Sequence, residues 1–438
     1  MTDYTGVLRD LVNGSWREPG SGKQYDIGIK NIVIRESLDG AEAELITELY
    51  QNKRIALVSD PYTHAALGQR LFKALTKDSS NQITEFVWET AQCSDKGVSE
   101  VQAATANADV LIAIGSGTIN DAVKYACFLD EKPYSVFATS PMNAFSTATA
   151  SVSFDGFKRS ISCRGAEGIF YDLSVISACP TRLISAAFAD VICRTTAQVD
   201  WLLSHLLFAT SYTQTPYILL AYDEPDMIAS ADRMLSGDIE SLGMLTRISA
   251  IMGLGTRFTN TTHSGSMAEH QISHYIDMFA GDKHPRSSHG EQVGIATITM
   301  SHLQNNILSN STPPVMSATK IPADSLKSRF GTDISDNMIE QTQAKALTEM
   351  QAGKLNQKLA DEWESIRKTL NNVMLPYDVL HDAMRAAGCQ ITATDLELDM
   401  DFYREAVKNA RFIRDRFSML DLIDDSVGLE SVVQSIPS

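Results

Sequence analysis

The chain has 438 residues, of which 44% are hydrophobic and 21% charged, which suits a soluble globular protein with a sizeable core and, by its length, two domains. Its formal net charge of −17 excludes a general binder of the nucleic-acid backbone, and an anionic small substrate would need a locally positive site such as a metal or a helix N-terminus. No apolar run reaches the length of a membrane span and the N-terminus has no signal-peptide core, so the expectation is a cytoplasmic protein without membrane insertion.

From the N-terminus, strand-like and helix-like patterns alternate. Asn31–Arg35 and Arg54–Ser59 are β-branched runs, the second closed by Asp60 and Pro61 before a helical stretch over 62–75. Ile83–Trp88 follows as a strand, then a polar helix over 100–107. Val110–Ile114 is apolar throughout, as a central parallel strand buried on both faces should be. It runs into GSGTIND, Gly115 to Asp121, and a helix over 122–128. Strands alternating with helices at this spacing imply a parallel α/β sheet and a Rossmann-like nucleotide-binding domain.

Gly115 and Gly117 let the backbone turn tightly around Ser116 and approach a ligand. The N–H groups of Thr118 and Ile119 then open a helix whose positive end suits a pyrophosphate. A glycine turn after any parallel strand looks similar, and this one is not GxGxxG. The neighbouring strand over 134–139 strengthens the reading, because it ends in a loop offering Thr139, Ser140 and Thr147, where a nucleotide is expected to lie. Runs 150–154 and 157–162 flank Asp155-Gly156, a hairpin signal. After one more strand, Gly168 to Tyr171, the alternation ends at Cys179-Pro180. This divides the chain into an α/β nucleotide-binding domain, 1–179, and an all-α domain, 180–438.

The second half is helix-rich. The stretch 183–209 reads as one or two apolar helices with Asp190 inside, where an unpaired carboxylate would cost several kcal/mol and therefore needs a metal ion or a buried cation as partner. Arg194, one turn on, is such a cation; Asp200 lies nearer the polar side. In SGSMAEHQISHYIDMFAGDKHPRSSHG, a helix over 267–279 capped by Ser264 or Ser266 and stopped at Gly281 puts His270 and His274 on one face, and His289 arrives from the following loop. One imidazole on a helix and another just past it can reach a single divalent cation. A polar surface or a satisfied core pair uses the same spacing, so the residues alone leave both readings open. The stretch 309–336 reads as a loop or short-helix excursion, 341–371 as a polar-faced helix, and 402–423 as a mixed-charge helix with a solvated face, followed by an apolar helix-like tail. Cys93, Cys127, Cys163, Cys179, Cys193 and Cys389 show no paired spacing and read as reduced thiols.

Taken in order, GSGTIND, TSPMNAFSTAT, AFADVICRTTAQVDW, SGSMAEHQISH, SSHGEQVG and IRDRFSMLDL resemble the glycerol-1-phosphate dehydrogenases, within the superfamily of iron-type alcohol dehydrogenases, glycerol dehydrogenase and dehydroquinate synthase. The resemblance implies a Rossmann-like domain followed by a helical metal-binding domain. It implies one divalent cation, with zinc the first choice and nickel or iron accepted by the same ligands, on Asp190, His270 and His289. His274 matches a substrate-contacting imidazole. Asp60, Gly115, Ser116, Gly117, Thr118, Ile119, Thr139, Ser140 and Thr147 match the contacts to NAD or NADP. Dehydroquinate synthases place Glu where this chain has Asp190. Ser116 replaces a family glycine, and Asn143-Ala144 replaces the common Asp-Gly, so a charge near the substrate is lost.

The implied chemistry is reversible reduction of dihydroxyacetone phosphate to sn-glycerol 1-phosphate, in phospholipid metabolism. The cation polarises the carbonyl while a nicotinamide in the cleft between domains delivers hydride. Asp190, His274 and Asn143 are the catalytic positions, although Asn143 is neither acid nor base. The partners expected are a phosphorylated triose or glycerol and further copies of the chain, as a homo-oligomer. The alternatives are a dehydrogenase of glycerol, a phosphonate aldehyde or another short polyol, and a nucleotide-binding relative without catalysis.

Overall fold

Eight runs form strands: β1 (Asn31–Arg35), β2 (Arg54–Ser59), β3 (Gln82–Val87), β4 (Val110–Gly115), β5 (Tyr134–Ala138), β6 (Thr149–Phe154), β7 (Phe157–Ser162) and β8 (Gly168–Asp172). In this computed structural model the described residues are 2–154 and 157–436, so the Asp155-Gly156 turn lies outside them. Contacts divide the chain into two units, Met1–Ala187 with Gln214–Asn260, and Phe188–Thr213 with Thr261–Ser438. The expected boundary at Cys179-Pro180 falls inside the first unit, which continues to Ala187 and regains 214–260 from the helical half of the sequence.

Six strands of the first unit pair in parallel in the order β1-β8-β5-β4-β2-β3; β6 and β7 form an antiparallel pair. β4 is buried along its whole length, as its unbroken apolar run requires when helices cover both faces of a parallel sheet. The chain passes from β2 outward to β3, then returns to lay β4 on the other side of β2. The strand order therefore reverses between β2 and β4, and the crevice beyond their carboxyl ends is where such sheets bind ligands.

Several helices start where a cap dictates rather than where hydrophobic periodicity suggested. Asp60 accepts the Thr63 N–H at 2.8 Å and starts a helix at Pro61, which passes through a π-turn at His64–Gly68 before continuing over Gln69–Asp78. Ser94 starts the polar helix at Asp95, so it covers Asp95–Ala104. The helix expected over 341–371 begins only at Glu349, because Thr348 and Gln351 cap each other reciprocally.

In the second unit Val199, Leu203, Tyr275, Ala296, Leu359, Trp363 and Leu420 belong to one core. The stretch 183–209 is two helices, Thr181–Ile192 and Arg194–Phe208. Asp200 corrects its expectation: it is fully buried rather than near a polar side. Burial, with repulsion from Glu269, pushes its carboxyl up to about 8, and the backbone N–H of Met419 and the Gln304 amide donate to it at 3.0 Å each. The stretch 402–423 keeps the expected helix and apolar helical tail but departs from expectation in its charges. It splits into helices Met400–Asn409 and Met419–Asp424 around a 3-10 turn, Ala410–Ile413, and its charges are largely enclosed. Arg411 is 1% exposed and pairs with Asp421, Asp424 and Asp425, while Lys345 joins Asp421 at 2.9 Å. A buried guanidinium is tolerated because carboxylates neutralise it and occupy its donors.

Candidate metal centre and nucleotide turn

In the first unit, β4 ends at Gly115, Ser116 takes the N-cap position, and a helix runs over Gly117–Leu129. The structure brings the expected nucleotide residues to the carboxyl ends of neighbouring strands. Thr139 donates its N–H to the Gly115 carbonyl at 3.1 Å, and Ser140 Oγ donates to Ser116 Oγ at 2.9 Å. Thr118 and Ile119 lie in the first helical turn, with the unpaired N–H groups and positive dipole end that anions prefer. Asp60 stands past β2 beside a cleft lined also by Tyr62, Glu89 and Thr90; its carboxylate is committed in part to capping, with Oδ1 accepting from both the N–H and the hydroxyl of Thr63.

The loop carrying Asn143 and Thr147 is held from below. Lys124, fully buried, donates Nζ to the carbonyls of Ala144 and Thr149 at 2.8 Å each and pairs with Asp121 at 3.1 Å. Asn120 also donates to the Ala144 carbonyl. Asn143 opens a 3-10 turn, Asn143–Phe145, and Thr147 Oγ1 bonds Thr149 Oγ1. Helix Ile239–Gly253 of the same unit ends against this loop, where the Ser146 hydroxyl donates to the Ala250 carbonyl at 2.7 Å.

In the second unit the carboxylate and imidazoles come together. Asp190, on helix Thr181–Ile192, and His270, on helix Ala268–Phe279, are both buried, with Asp190 Oδ1 and His270 Nε2 3.5 Å apart. The His289 ring lies 5.0 Å from that of His270, and the His274 ring 5.7 Å from that of His289, centroid to centroid. Two local expectations are corrected. His289 is not in a loop but is the first residue of helix His289–Leu308, because Ser288 and Glu291 cap each other. Neither Ser264 nor Ser266 caps the His270 helix; Glu269 Oε1 reaches back to the Met267 N–H at 2.7 Å instead. Arg194, weighed as an alternative partner for Asp190, donates to Gln198 Oε1 and to the Val373 carbonyl.

The donor set suits a divalent cation. The His270 Nδ1–H faces Glu269 Oε1 at 3.0 Å, which leaves the Nε2 lone pair on the Asp190 side. For His289 a longer relay gives the same tautomer. Gln292 Nε2 donates to Asp277 Oδ1 at 2.9 Å, so its Oε1 accepts from Ser273 Oγ at 2.8 Å, and Ser273 Oγ in turn accepts from His289 Nδ1 at 3.0 Å. Metal-binding imidazoles are held in this way, through the nitrogen that does not bind. Burial disfavours a charged His270, yet Asp190, Cys193 and Glu269 raise its pKa well above the usual imidazole range, as expected where a cation and a proton compete for one electron pair. Cys193 Sγ also lies within 4.8 Å of the Asp190 and His270 donors. Burial pushes this thiol up to about 12, and it donates to the Asp190 carbonyl, so the carboxylate and imidazoles are the better ligands.

The relay carries a prediction. Gln292→Leu removes the link that orients His289, and zinc affinity measured by competition with a chelating dye should fall about 10–100-fold. Unchanged affinity would rule the relay out.

Sequence reasoning missed Glu269, Ser273, Gln292, Arg414 and Arg416. The Ser-x-x-Glu capping pattern at 288–291 and the acidic residue next to His270 were the available signals for the helix start and for Glu269. The two arginines lie in the IRDRFSMLDL motif that carries part of the resemblance, but in a charged run that reads as solvated, so no role attaches to them from the sequence.

The first unit thus holds a parallel sheet with a glycine turn at its switch point, and the second a carboxylate–imidazole group. Residues 33–180 match the family described as iron-containing alcohol dehydrogenase. The glycerol-1-phosphate dehydrogenase [NAD(P)+] of Halalkalibacterium halodurans is 28% identical over 259 residues, 58% of this chain and 65% of the relative, so that alignment spans just under two thirds of the relative's length. The enzyme of the same name from Bacillus licheniformis is 22% identical over 408 residues, 91% of this chain and 90% of the relative. The crystal structure of a probable glycerol dehydrogenase from Sinorhizobium meliloti superposes with a TM-score of 0.60 at 14% identity, covering 93% of this chain and 98% of that one, and shows the shared fold. Among the described residues no helix is long and apolar enough to cross a membrane.

Proposed function

We propose that the protein is an sn-glycerol-1-phosphate dehydrogenase, interconverting dihydroxyacetone phosphate and sn-glycerol 1-phosphate with NAD(H) or NADP(H). The supporting observation is the approach of Asp190, His270 and His289, with both imidazoles held through Nδ1, in a chain whose relatives carry that enzyme's name. Once bound on these three residues, the cation supplies Lewis-acid polarisation of the carbonyl and the nicotinamide supplies the hydride. The carbonyl carbon gains that hydride and its oxygen gains a proton.

The chain's own groups do the rest. Asp190 contributes the charge that retains the cation, and His274, one helical turn past His270, orients the substrate oxygens. Asn143, a neutral amide, donates or accepts a hydrogen bond but moves no proton. The N–H groups of Gly117 to Ile119 receive the pyrophosphate. On the same reading the enzyme is zinc-dependent, homo-oligomeric and cytoplasmic, the last in keeping with six cysteines that form no disulfide.

The test is oxidation of NADH and NADPH by zinc-loaded protein with dihydroxyacetone phosphate, beside dihydroxyacetone and a chelator-treated control. Chelator-sensitive turnover that strongly prefers the phosphate is expected. Turnover confined to unphosphorylated carbonyls would overturn the substrate assignment.

A further inference from the structure

We propose that Arg414, backed by Arg416, is the seat of the substrate's phosphoryl group, a claim that rests on the dehydrogenase reading above. Both arginines follow the 3-10 turn Ala410–Ile413 in the second unit. Arg414 Nη1 donates to the Ile413 carbonyl at 3.1 Å, and its Nη2 lies 3.4 Å from His274 Nδ1. Arg416 donates to the Ser266 carbonyl at 2.5 Å and to Thr262 Oγ1 at 2.8 Å, which ties it to the segment leading into the His270 helix. The His274 ring bridges the Arg414 guanidinium to the proposed metal ligands, standing 5.7 Å from the His289 ring and 6.2 Å from that of His270.

Beside the His274 ring, what this pair shows is missing negative charge. Arg411 meets three aspartates, Arg247 pairs with Asp223, and Arg70 pairs with Glu42 and Asp172. No carboxylate pairs with Arg414 or Arg416 among the described residues, although both are only partly exposed; Asp415, between them, is exposed. Desolvation lowers both below the usual guanidinium range, Arg416 to about 10 with repulsion from Arg414 adding to the shift; Asp415 and, for Arg416, Glu269 act at a distance and only partly offset it. His263 records the same positive field: burial and Arg416 hold its pKa down to about 4, and its buried Nδ1 has no partner. Two enclosed guanidiniums without counter-ions form an incomplete ionic group, which an oxyanion accepting forked hydrogen bonds completes. In a chain of net charge −17, a dianionic substrate needs such a local concentration of positive charge.

The experiment compares wild type, Arg414→Gln and Arg414→Lys as full-length zinc-loaded proteins, with zinc content and melting temperature checked for each. Kinetics with dihydroxyacetone phosphate and dihydroxyacetone are joined by calorimetric titration with inorganic phosphate. In Arg414→Gln the ratio of kcat/KM for the phosphate to that for dihydroxyacetone should fall about a hundredfold, the scale of a lost charged hydrogen-bond pair, and the phosphate heat should vanish. Arg414→Lys, which keeps the charge without the fork, should fall between, and it carries the comparison if Arg414→Gln does not fold. Equal losses on both substrates, or phosphate binding unchanged in the variants, would overturn the proposal. Should wild type fail to reduce dihydroxyacetone phosphate, the enzymatic reading fails and the titration decides the seat by itself. Phosphate bound by wild type and not by Arg414→Gln sustains it; no binding by wild type overturns it.

Discussion

His289→Ala should yield a folded protein that keeps no metal through dialysis and shows no measurable turnover. Two ligands remain, and a cation held by one carboxylate and one imidazole loses more than the about 10–100-fold expected for a disturbed supporting contact. The chemical step then lacks a polarising charge worth several kcal/mol, or about a thousandfold or more in rate. The fold should survive because the Ser288–Glu291 capping box, not His289, starts the helix, and Ser273 keeps its bond to Gln292. Metal content by mass spectrometry, melting temperature and NADH oxidation measure the three consequences separately. Stoichiometric metal and normal turnover in the variant would remove His289 from the site.

Gly253→Ala should cripple nucleotide binding from a position that touches no nucleotide residue by its own side chain. A Cβ there would stand 2.1 Å from Ser146 Oγ, 2.2 Å from the Asn143 carbonyl oxygen and 3.1 Å from the Thr147 nitrogen. Two of these are backbone atoms, so rotating a side chain does not relieve the contact; the loop itself must move. Overpacking of this kind costs about 1–3 kcal/mol, and displacement of Asn143 and Thr147 should weaken NADH binding at least about tenfold by fluorescence titration. Zinc binding should be unchanged, because all three proposed ligands lie in the other unit. Gly353→Ala is the control: it is exposed on helix Glu349–Asn371 with nothing within 4 Å of its Cβ, so it should leave binding intact and gain up to about 1 kcal/mol of stability. Equal behaviour of the two variants would refute the packing argument.

The parallel sheet was legible because its strands are β-branched runs with helical patterns between them, and because β4 is apolar at every position. His270 and His274 were legible as a pair because four-residue spacing on a helix leaves little freedom, and His289 joined them by its place just past that helix. What escaped was whatever depends on partners far away in sequence. Arg411, Arg414 and Arg416 look alike in a charged run, yet the first is locked among three aspartates, the second faces an imidazole and the third ties to Ser266 and Thr262. Asp200 looked polar-sided beside a tryptophan, but its donors come from residues about a hundred and two hundred positions away. The return of 214–260 to the first unit was equally hidden, since an amphipathic helix does not advertise which core it will join.

That return has a consequence for how the protein is made. The chain passes from the first unit to the second after Ala187, comes back at Gln214 and leaves again after Asn260. Domains tend to complete themselves in order as the polypeptide emerges from the ribosome, but here the sheet is finished long before its unit is. Gly253 and Ala250, which close the loop of Asn143 and Ser146, are synthesised about a hundred residues after it. The nucleotide turn therefore waits, exposed, while the first strip of the metal unit is translated, and no single cut frees either unit as a continuous piece of chain.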